Sequence, residues 1–83
     1  MGLLVQTDPA TLVGLHTATL NGTLLNMAGA ASVDVWFEYG EVSGGPYTDT
    51  TPVQVLTSAI AFLAVVLGLK ATTTYYFRAV ADF

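Results

Sequence analysis

This sequence of 83 residues contains no cysteine, one histidine, and only two lysine or arginine residues against six aspartate or glutamate residues. The missing cysteine excludes disulfides, a thiolate nucleophile and a cysteine-bound zinc ion, and one histidine cannot build a histidine-rich metal site. A chain with so few cations and a net charge of −4 offers no basic surface to a nucleic-acid backbone. We therefore expect no metal, no cofactor and no nucleic-acid partner.

Charged residues are scarce as well, at 10% of the chain, whereas hydrophobic residues make up 53%. This balance is the opposite of that in disordered chains, so we expect a single folded domain over residues 1–83. The most apolar stretch, residues 53–69, is too short and too often interrupted by polar residues for a membrane helix, so we expect no membrane insertion. Small domains without disulfides often gain stability by association, and the low charge predicts exposed apolar surface.

Apolar residues that alternate with a period of two predict short β-strands throughout the chain. In residues 33–39, valine, phenylalanine and tyrosine side chains fall on one face, and Asp34, Trp36 and Glu38 fall on the other. Further strands are predicted over residues 53–56, 60–67 and 73–81. Glycine and proline separate these segments, which is typical of an all-β domain.

The dipeptide Asn21-Gly22 has two interpretations. Asn-Gly between apolar segments is a strong signal for a two-residue hairpin turn. However, Ala18, Leu20, Gly22 and Leu24 also alternate through it, as they would in one continuous strand. Local patterns alone leave both possibilities open.

Residues 68–79 resemble the E–F corner of a fibronectin type III domain, where a Leu-x-Pro-x-Thr-x-Tyr motif occurs. Leu69, Thr73 and Tyr75 match that motif, and Ala71 stands in place of the proline. In this family the tyrosine hydroxyl bonds back to the backbone, so the resemblance implies a structural corner here.

Two earlier segments extend the resemblance. Residues 17–24 resemble strand B, and residues 35–40 resemble strand C, of such repeats in microbial surface proteins. The resemblance implies an Ig-like, fibronectin type III-like antiparallel β-sandwich on the cell surface or outside the cell. It also favours a strand over a turn at Asn21-Gly22.

The same resemblance implies that the last strand of the family, strand G, has no counterpart after residue 81. The strand-like residues 3–7 resemble the G strand of a preceding repeat, and the sandwich body then covers residues 10–83. Because residues 8–10 reach only about 10 Å and a strand spans about 23 Å, residues 3–7 cannot easily fill the gap in their own domain. They could fill that of a neighbour, and head-to-tail strand donation propagates into a filament.

This hypothesis assigns two sets of residues. The donor strand is Leu3, Leu4, Val5, Gln6 and Thr7, and the acceptor groove is lined by Val35, Phe37, Phe77, Ala79 and Ala81. Two alternatives remain: residues 3–7 are the first part of strand A, or the donation closes into a swapped dimer or small ring.

A second possible interface follows from the alternation in the A–B–E sheet. Its outward-facing apolar residues are Leu12, Leu15, Leu63, Val65 and Leu67. Contiguous exposed apolar area indicates an interface, although a register slip of one residue would exchange the two faces.

The outer face of the C–F sheet should carry Asp34, Trp36, Glu38, Tyr76 and Arg78. Cross-strand pairing accounts for them, and an aromatic platform for a glycan or another surface protein is the alternative.

The sequence shows no feature typical of an enzyme: it has no nucleophile motif, no phosphate-binding loop and no carboxylate pair placed in a cleft. The sequence thus predicts a non-enzymatic structural subunit that assembles with itself into an extracellular filament. An engineered or recombinant scaffold with an apolar face for binding, and an adhesive repeat from a larger surface protein, are the alternatives.

Overall fold

The computed structural model describes residues 3–83, so the first two residues of the predicted domain lie outside the described residues. The strands are β1 (Leu4–Thr11), β2 (Ala18–Asn26), β3 (Val33–Gly40), β4 (Asp49–Thr50), β5 (Gln54–Leu56), β6 (Ala61–Val66) and β7 (Tyr76–Asp82). Residues 3–83 contain no helix, and hence none that could cross a membrane.

The strands form two antiparallel sheets. One has the order β1-β2-β6. In the other, β7 pairs along nearly all of β3, and the short strands β4 and β5 share the opposite edge of β3. Between β4 and β5, Thr51 continues the pairing, because it donates its N–H to the Phe37 carbonyl and accepts the Phe37 N–H at its Oγ1. The predicted all-β antiparallel sandwich is confirmed.

Strand β2 runs straight through Asn21-Gly22, so the hairpin interpretation is wrong. The two sheets approach closely at Gly22: a Cβ there would lie 3.0 Å from the Cβ of Ala79 and 3.0 Å from the Phe62 ring. The Asn21 amide donates to the Pro9 carbonyl at 2.9 Å instead of closing a turn. Glycine is therefore needed for close packing of the sheets, and not for a positive φ.

Four of the five predicted donor residues, Leu4 to Thr7, lie in β1 of their own domain, and Leu3 directly precedes it. Val5 pairs with Leu24 and Thr7 with Gly22, and the pairing continues to Thr11 opposite Thr19. Its register shifts between Asp8 and Thr11, where Pro9 stands. Proline is tolerated at a bulge of an edge strand, which is why it does not end β1. Residues 3–7 are therefore the first part of strand A, the alternative that the sequence left open.

The core lies where the middles of the sheets face each other. Phe37 is fully buried, with its ring centroid 5.1 Å from that of Phe62 and 6.1 Å from that of Phe77. Val35 is fully buried too, and Ala79 and Ala81 pack into the same cluster. The residues predicted to line an acceptor groove are thus part of this chain's own core.

Two side chains bridge the sheets at the sides of the sandwich. On one side, the Thr7 Oγ1 accepts the outward-pointing N–H of Ala79 at 2.9 Å. On the other, the Gln54 Nε2 donates to the carbonyl of Leu63 at 2.7 Å. These bonds satisfy backbone groups at the edges of β7 and β6 that no strand within residues 3–83 pairs.

Candidate functional site

An apolar cavity of about 420 Å³ opens at one end of the sandwich. This is the end at which β1, β3 and β6 finish and β2 and β7 begin, and we call it the Tyr75 end. Small-molecule sites commonly have volumes of roughly 300–1,000 Å³, so the cavity is large enough to hold a ligand.

The floor of the cavity comes from the ends of four strands. Ala18, Leu20 and Val66 belong to the three-stranded sheet, and Tyr39 and Phe77 belong to the other. Ala18 and Val66 are paired across β2 and β6, and both are buried. Because alanine is small, it leaves space between the sheets that a larger residue on this inward face would fill.

The walls come from two loops, residues 12–17 and residues 67–75. Val13 and Leu15 line the cavity, although both side chains are also largely exposed to solvent. The loops are tied to each other, because His16 Nδ1–H donates to the Leu69 carbonyl at 2.8 Å and the Leu69 N–H donates to the His16 carbonyl at 2.9 Å. These bonds fix the width of the opening.

The second loop contains the corner. The Tyr75 hydroxyl accepts a hydrogen bond from the backbone N–H of Lys70 at 2.9 Å, a bond of the kind that the corner motif implies. The Thr73 hydroxyl donates to the Ala71 carbonyl at 3.1 Å. A run of hydroxyl-bearing residues, Thr72, Thr73, Thr74 and Tyr75, lines this side of the cavity.

The opening of the cavity carries one ion pair. Lys70 Nζ lies 3.1 Å from a carboxylate oxygen of Glu41, and the hydrogen bond and charge of Glu41 raise the pKa of Lys70. Burial, and then the proximity of Asp49 and Tyr75, raise the pKa of the Tyr39 hydroxyl. The cation at the opening is therefore paired, and Tyr39 is uncharged at neutral pH.

A polar cleft of about 320 Å³ adjoins the cavity, and the two share Tyr39, Leu69, Lys70 and Tyr75. Glu41, Thr48 and Asp49 line its other side. The site thus combines an apolar interior with a polar entrance, which is the usual arrangement of a recognition pocket.

Backbone strain is concentrated in the same loops. Leu12 has φ = 49° and Thr72 has φ = 52°, and Ala28 is the one other non-glycine residue in the described part of the chain with positive φ. Such conformations cost roughly 1–3 kcal/mol each, persist only where the surrounding structure enforces them, and are enriched at functional sites. Thr72 also occupies a position where glycine would be unstrained.

The predicted second interface lies only partly away from this site. Leu63 and Val65 are 54% and 60% exposed on the outer face of β6, whereas Leu12 and Leu67, which are 84% and 70% exposed, belong to the two loops of the opening. On the outer face of the other sheet, Arg78 makes an ion pair of 2.7 Å with Glu38, and the Arg78 guanidinium lies 5.4 Å from the centre of the Tyr47 ring. No group of three or more histidine or carboxylate side chains within residues 3–83 could hold a metal ion.

Sequence reasoning missed the cavity. The signals that could have indicated it are the apolar residues Leu12, Val13 and Leu15 in a loop, and the small residue Ala18 on an inward face. The space between the sheets, however, depends on five strand ends and two loops that are far apart in the sequence, so no local sequence pattern can predict it.

No family model and no curated protein matches this sequence. Solved structures that resemble the fold include three of the sensor domain of the anti-sigma factor RsgI4 in Pseudobacteroides cellulosolvens. A short form superposes with a TM-score of 0.81 at 19% identity, over 95% of this chain and 80% of that one. A solution structure gives 0.81 at 18% identity, over 99% and 67%. A long form gives 0.70 at 22% identity, over 99% and 78%.

At these identities the likeness shows a shared fold. It contradicts the predicted filament-forming structural subunit, because the similar structures are sensor domains of a regulatory protein. The placement of residues 4–7 in β1, paired with β2 of the same chain, supplies the physical reason. A strand already paired within its own sheet is not a free donor.

Proposed function

We propose that this chain is a non-enzymatic, ligand-sensing module displayed outside the cell, and that the cavity at the Tyr75 end is its recognition site. The observation that carries this proposal is the cavity itself: an open, mostly apolar recess of about 420 Å³ at one end of a domain of only 83 residues. Apolar residues that line an open recess stay in contact with water and add little to folding, so a recess of this size in a small domain favours a recognition role.

The comparisons support a sensing role. Three structures with the same fold are sensor domains, and the similarity extends over at least 95% of this chain. The order β1-β2-β6 opposite β3 and β7, with the Tyr75 hydroxyl bonded to the backbone, also supports a fibronectin type III-like domain. Domains of this type commonly occur on cell surfaces, which supports an extracellular location.

The chemistry of the cavity limits the class of ligand. Its interior is apolar, its threonine side presents hydroxyl groups, and its one cation, Lys70, is paired with Glu41. A charged group inside the cavity would lose its hydration without gaining a counter-ion, because the carboxylates of Glu41 and Asp49 line the adjoining cleft and not the cavity. We therefore infer an uncharged molecule, or an uncharged end of a larger one, with a ring-sized apolar group and one or two polar atoms.

This proposal is tested by titration of the protein with indole and with cyclohexanol, followed by amide NMR spectra. We expect saturable shifts in residues 13–18 and 69–77, because those residues surround the cavity. Ala18→Leu should abolish the shifts by filling the space from its floor.

The control is Ala59→Leu, which adds the same side chain to an exposed alanine at the opposite end of the sandwich. It should bind both probes as the parent protein does. If neither probe shifts the resonances of the cavity, or if Ala18→Leu binds as well as the parent, the cavity is not a recognition site.

A further inference from the structure

The outer face of β6 carries an apolar strip that the fold of this chain does not use. The strip consists of Leu63, Val65 and Leu67, joined at its end by Leu12 and Leu15 from the loop between β1 and β2. All five side chains are between 54% and 84% exposed. The hydrogen bonds between His16 and Leu69 hold that loop beside the end of β6.

These five residues do not pack into the hydrophobic core. The inward face of β6 is supplied by Phe62 and Val66, which are 6% and 5% exposed. An antiparallel sheet with one face in water normally carries polar residues on that face. The middle of β1 follows this rule, because Asp8 accepts hydrogen bonds from Gln6 and from Thr23 of β2. Leu4 and Leu25, near the ends of β1 and β2, are about half exposed. On β6, by contrast, every outward position is apolar.

The distribution of charge indicates what covers the strip. No charged residue belongs to β6, and most of the acidic residues lie on the other sheet or in loops. A chain with a net charge of −4 repels copies of itself through most of its surface. The strip is the place where two copies can meet without bringing carboxylates together.

The size of the strip suits a weak dimer. Val13 and Leu15 also line the cavity, so the outer face rests mainly on Leu12, Leu63, Val65 and Leu67, a patch smaller than the roughly 800 Å² per partner of a standard interface. A two-fold axis would place the same strip on both sides, since an isologous interface uses one surface twice. Edge-to-edge pairing of β6 is disfavoured, because the Gln54 side chain already occupies the outward carbonyl of Leu63.

We propose that two copies of this chain pack face to face through the β6 strip as a symmetric dimer. The inference shares Leu15 with the cavity wall, so it is tested at Val65, which does not line the cavity.

The test is sedimentation velocity of the full chain over a range of concentrations, with two matched variants. Val65 and Val55 are 60% and 62% exposed, and both face outward from strands, but Val55 lies on β5 of the other sheet. We expect the parent to form a dimer, Val65→Lys to weaken it roughly a hundredfold or more because two desolvated cations would meet, and Val55→Lys to leave it unchanged. Circular dichroism checks that both variants fold.

Amide NMR spectra recorded on dilution provide a second measurement that needs no variant. The shifts should be confined to residues 12–15 and 63–67. A parent protein that stays monomeric at all concentrations, a larger assembly, or equal weakening by both lysine variants would overturn the proposal.

Discussion

The two halves of the interior differ in how well they are filled, although the same two sheets enclose both. In the middle of the sandwich, Phe37 packs between Phe62 and Phe77. The sheets lie so close at Gly22 that a Cβ added to this residue would contact the Cβ of Ala79. At the Tyr75 end, Ala18 occupies the equivalent inward position of β2 and leaves a cavity of about 420 Å³. We call these the filled half and the hollow half.

The filled half supplies most of the stability of the domain, whereas the hollow half holds the proposed recognition site. Dispersion contacts are lost wherever a side chain faces a void, so the hollow half contributes less to stability per residue than the filled half. The strained residues Leu12 and Thr72 also lie in or beside the walls of the hollow half. A domain of this size can keep such a region only because the filled half is packed tightly. Four predictions test whether the two halves differ in this way.

The largest effect is expected from truncation in the filled half. Phe37→Ala should lower the free energy of unfolding by about 3–5 kcal/mol, which is a large share of the stability of a small domain. Phe77→Ala should cost at least about 1 kcal/mol less, because part of the Phe77 side chain already faces the cavity. Urea denaturation followed by circular dichroism measures both. Equal costs would remove the distinction between the halves.

The next prediction enlarges an alanine in each half. Ala18 and Ala79 are 8% and 7% exposed, so their burial is matched. Ala79→Leu should destabilise the protein by about 1–3 kcal/mol through overpacking against Gly22, whereas Ala18→Leu should stay within about 1 kcal/mol of the parent because it enters empty space. Thermal and urea unfolding decide between these outcomes. A severe loss from Ala18→Leu would mean that the hollow half is already filled.

A smaller effect is expected where the backbone of the hollow half is strained. Thr72→Gly should stabilise the protein by about 0.5–1 kcal/mol, because glycine adopts a φ near 52° without the steric cost that a β-branched residue has there. Thr72→Ala serves as the control, since it keeps the Cβ and should gain little. If both variants change stability equally, the side chain of Thr72 matters and its backbone conformation does not.

The smallest effect concerns pH. Burial raises the pKa of Tyr39 above its usual 10.0, so the folded state holds this proton more tightly than the unfolded state does. The corresponding stability is fully present below pH 10.0 and is lost as the pH rises through the folded-state pKa. Tyr39→Phe should therefore reduce the loss of stability between neutral and alkaline pH. Denaturation curves recorded from neutral to alkaline pH measure this loss for both proteins. An equal loss in the parent and in Tyr39→Phe would show that Tyr39 does not contribute to the pH dependence.

Much of the fold could be predicted from the sequence, and the site could not. The alternation of Val33, Val35 and Phe37 placed β3 and its inward face correctly, and the exposed positions of Leu63 and Val65 follow from the same rule. These predictions succeed because successive side chains of a strand must point to opposite faces, whatever the rest of the molecule does.

The N-terminal strand shows where such reasoning fails. Asp8-Pro9 looks like the end of a segment, yet β1 continues through it with a shift in register and pairs with β2 on both sides. The sequence cannot reveal that Pro9 stands on an edge strand, because only the order of strands in the sheet makes an edge. The filament hypothesis rested on the family's missing last strand and on reading this bulge as a boundary between two strands.

What the sequence by itself determined is therefore the strands β3, β5, β6 and β7 in outline, the face that their side chains take, and the low charge that leaves apolar residues outside. Only the tertiary structure decided that residues 4–7 complete their own sheet, that Gly22 is a contact between sheets, and that a cavity opens beside Tyr75. Alternation is a property of the local backbone geometry. The spacing of two sheets depends on the volumes of side chains that are far apart in the chain, so it exists only once the chain has folded.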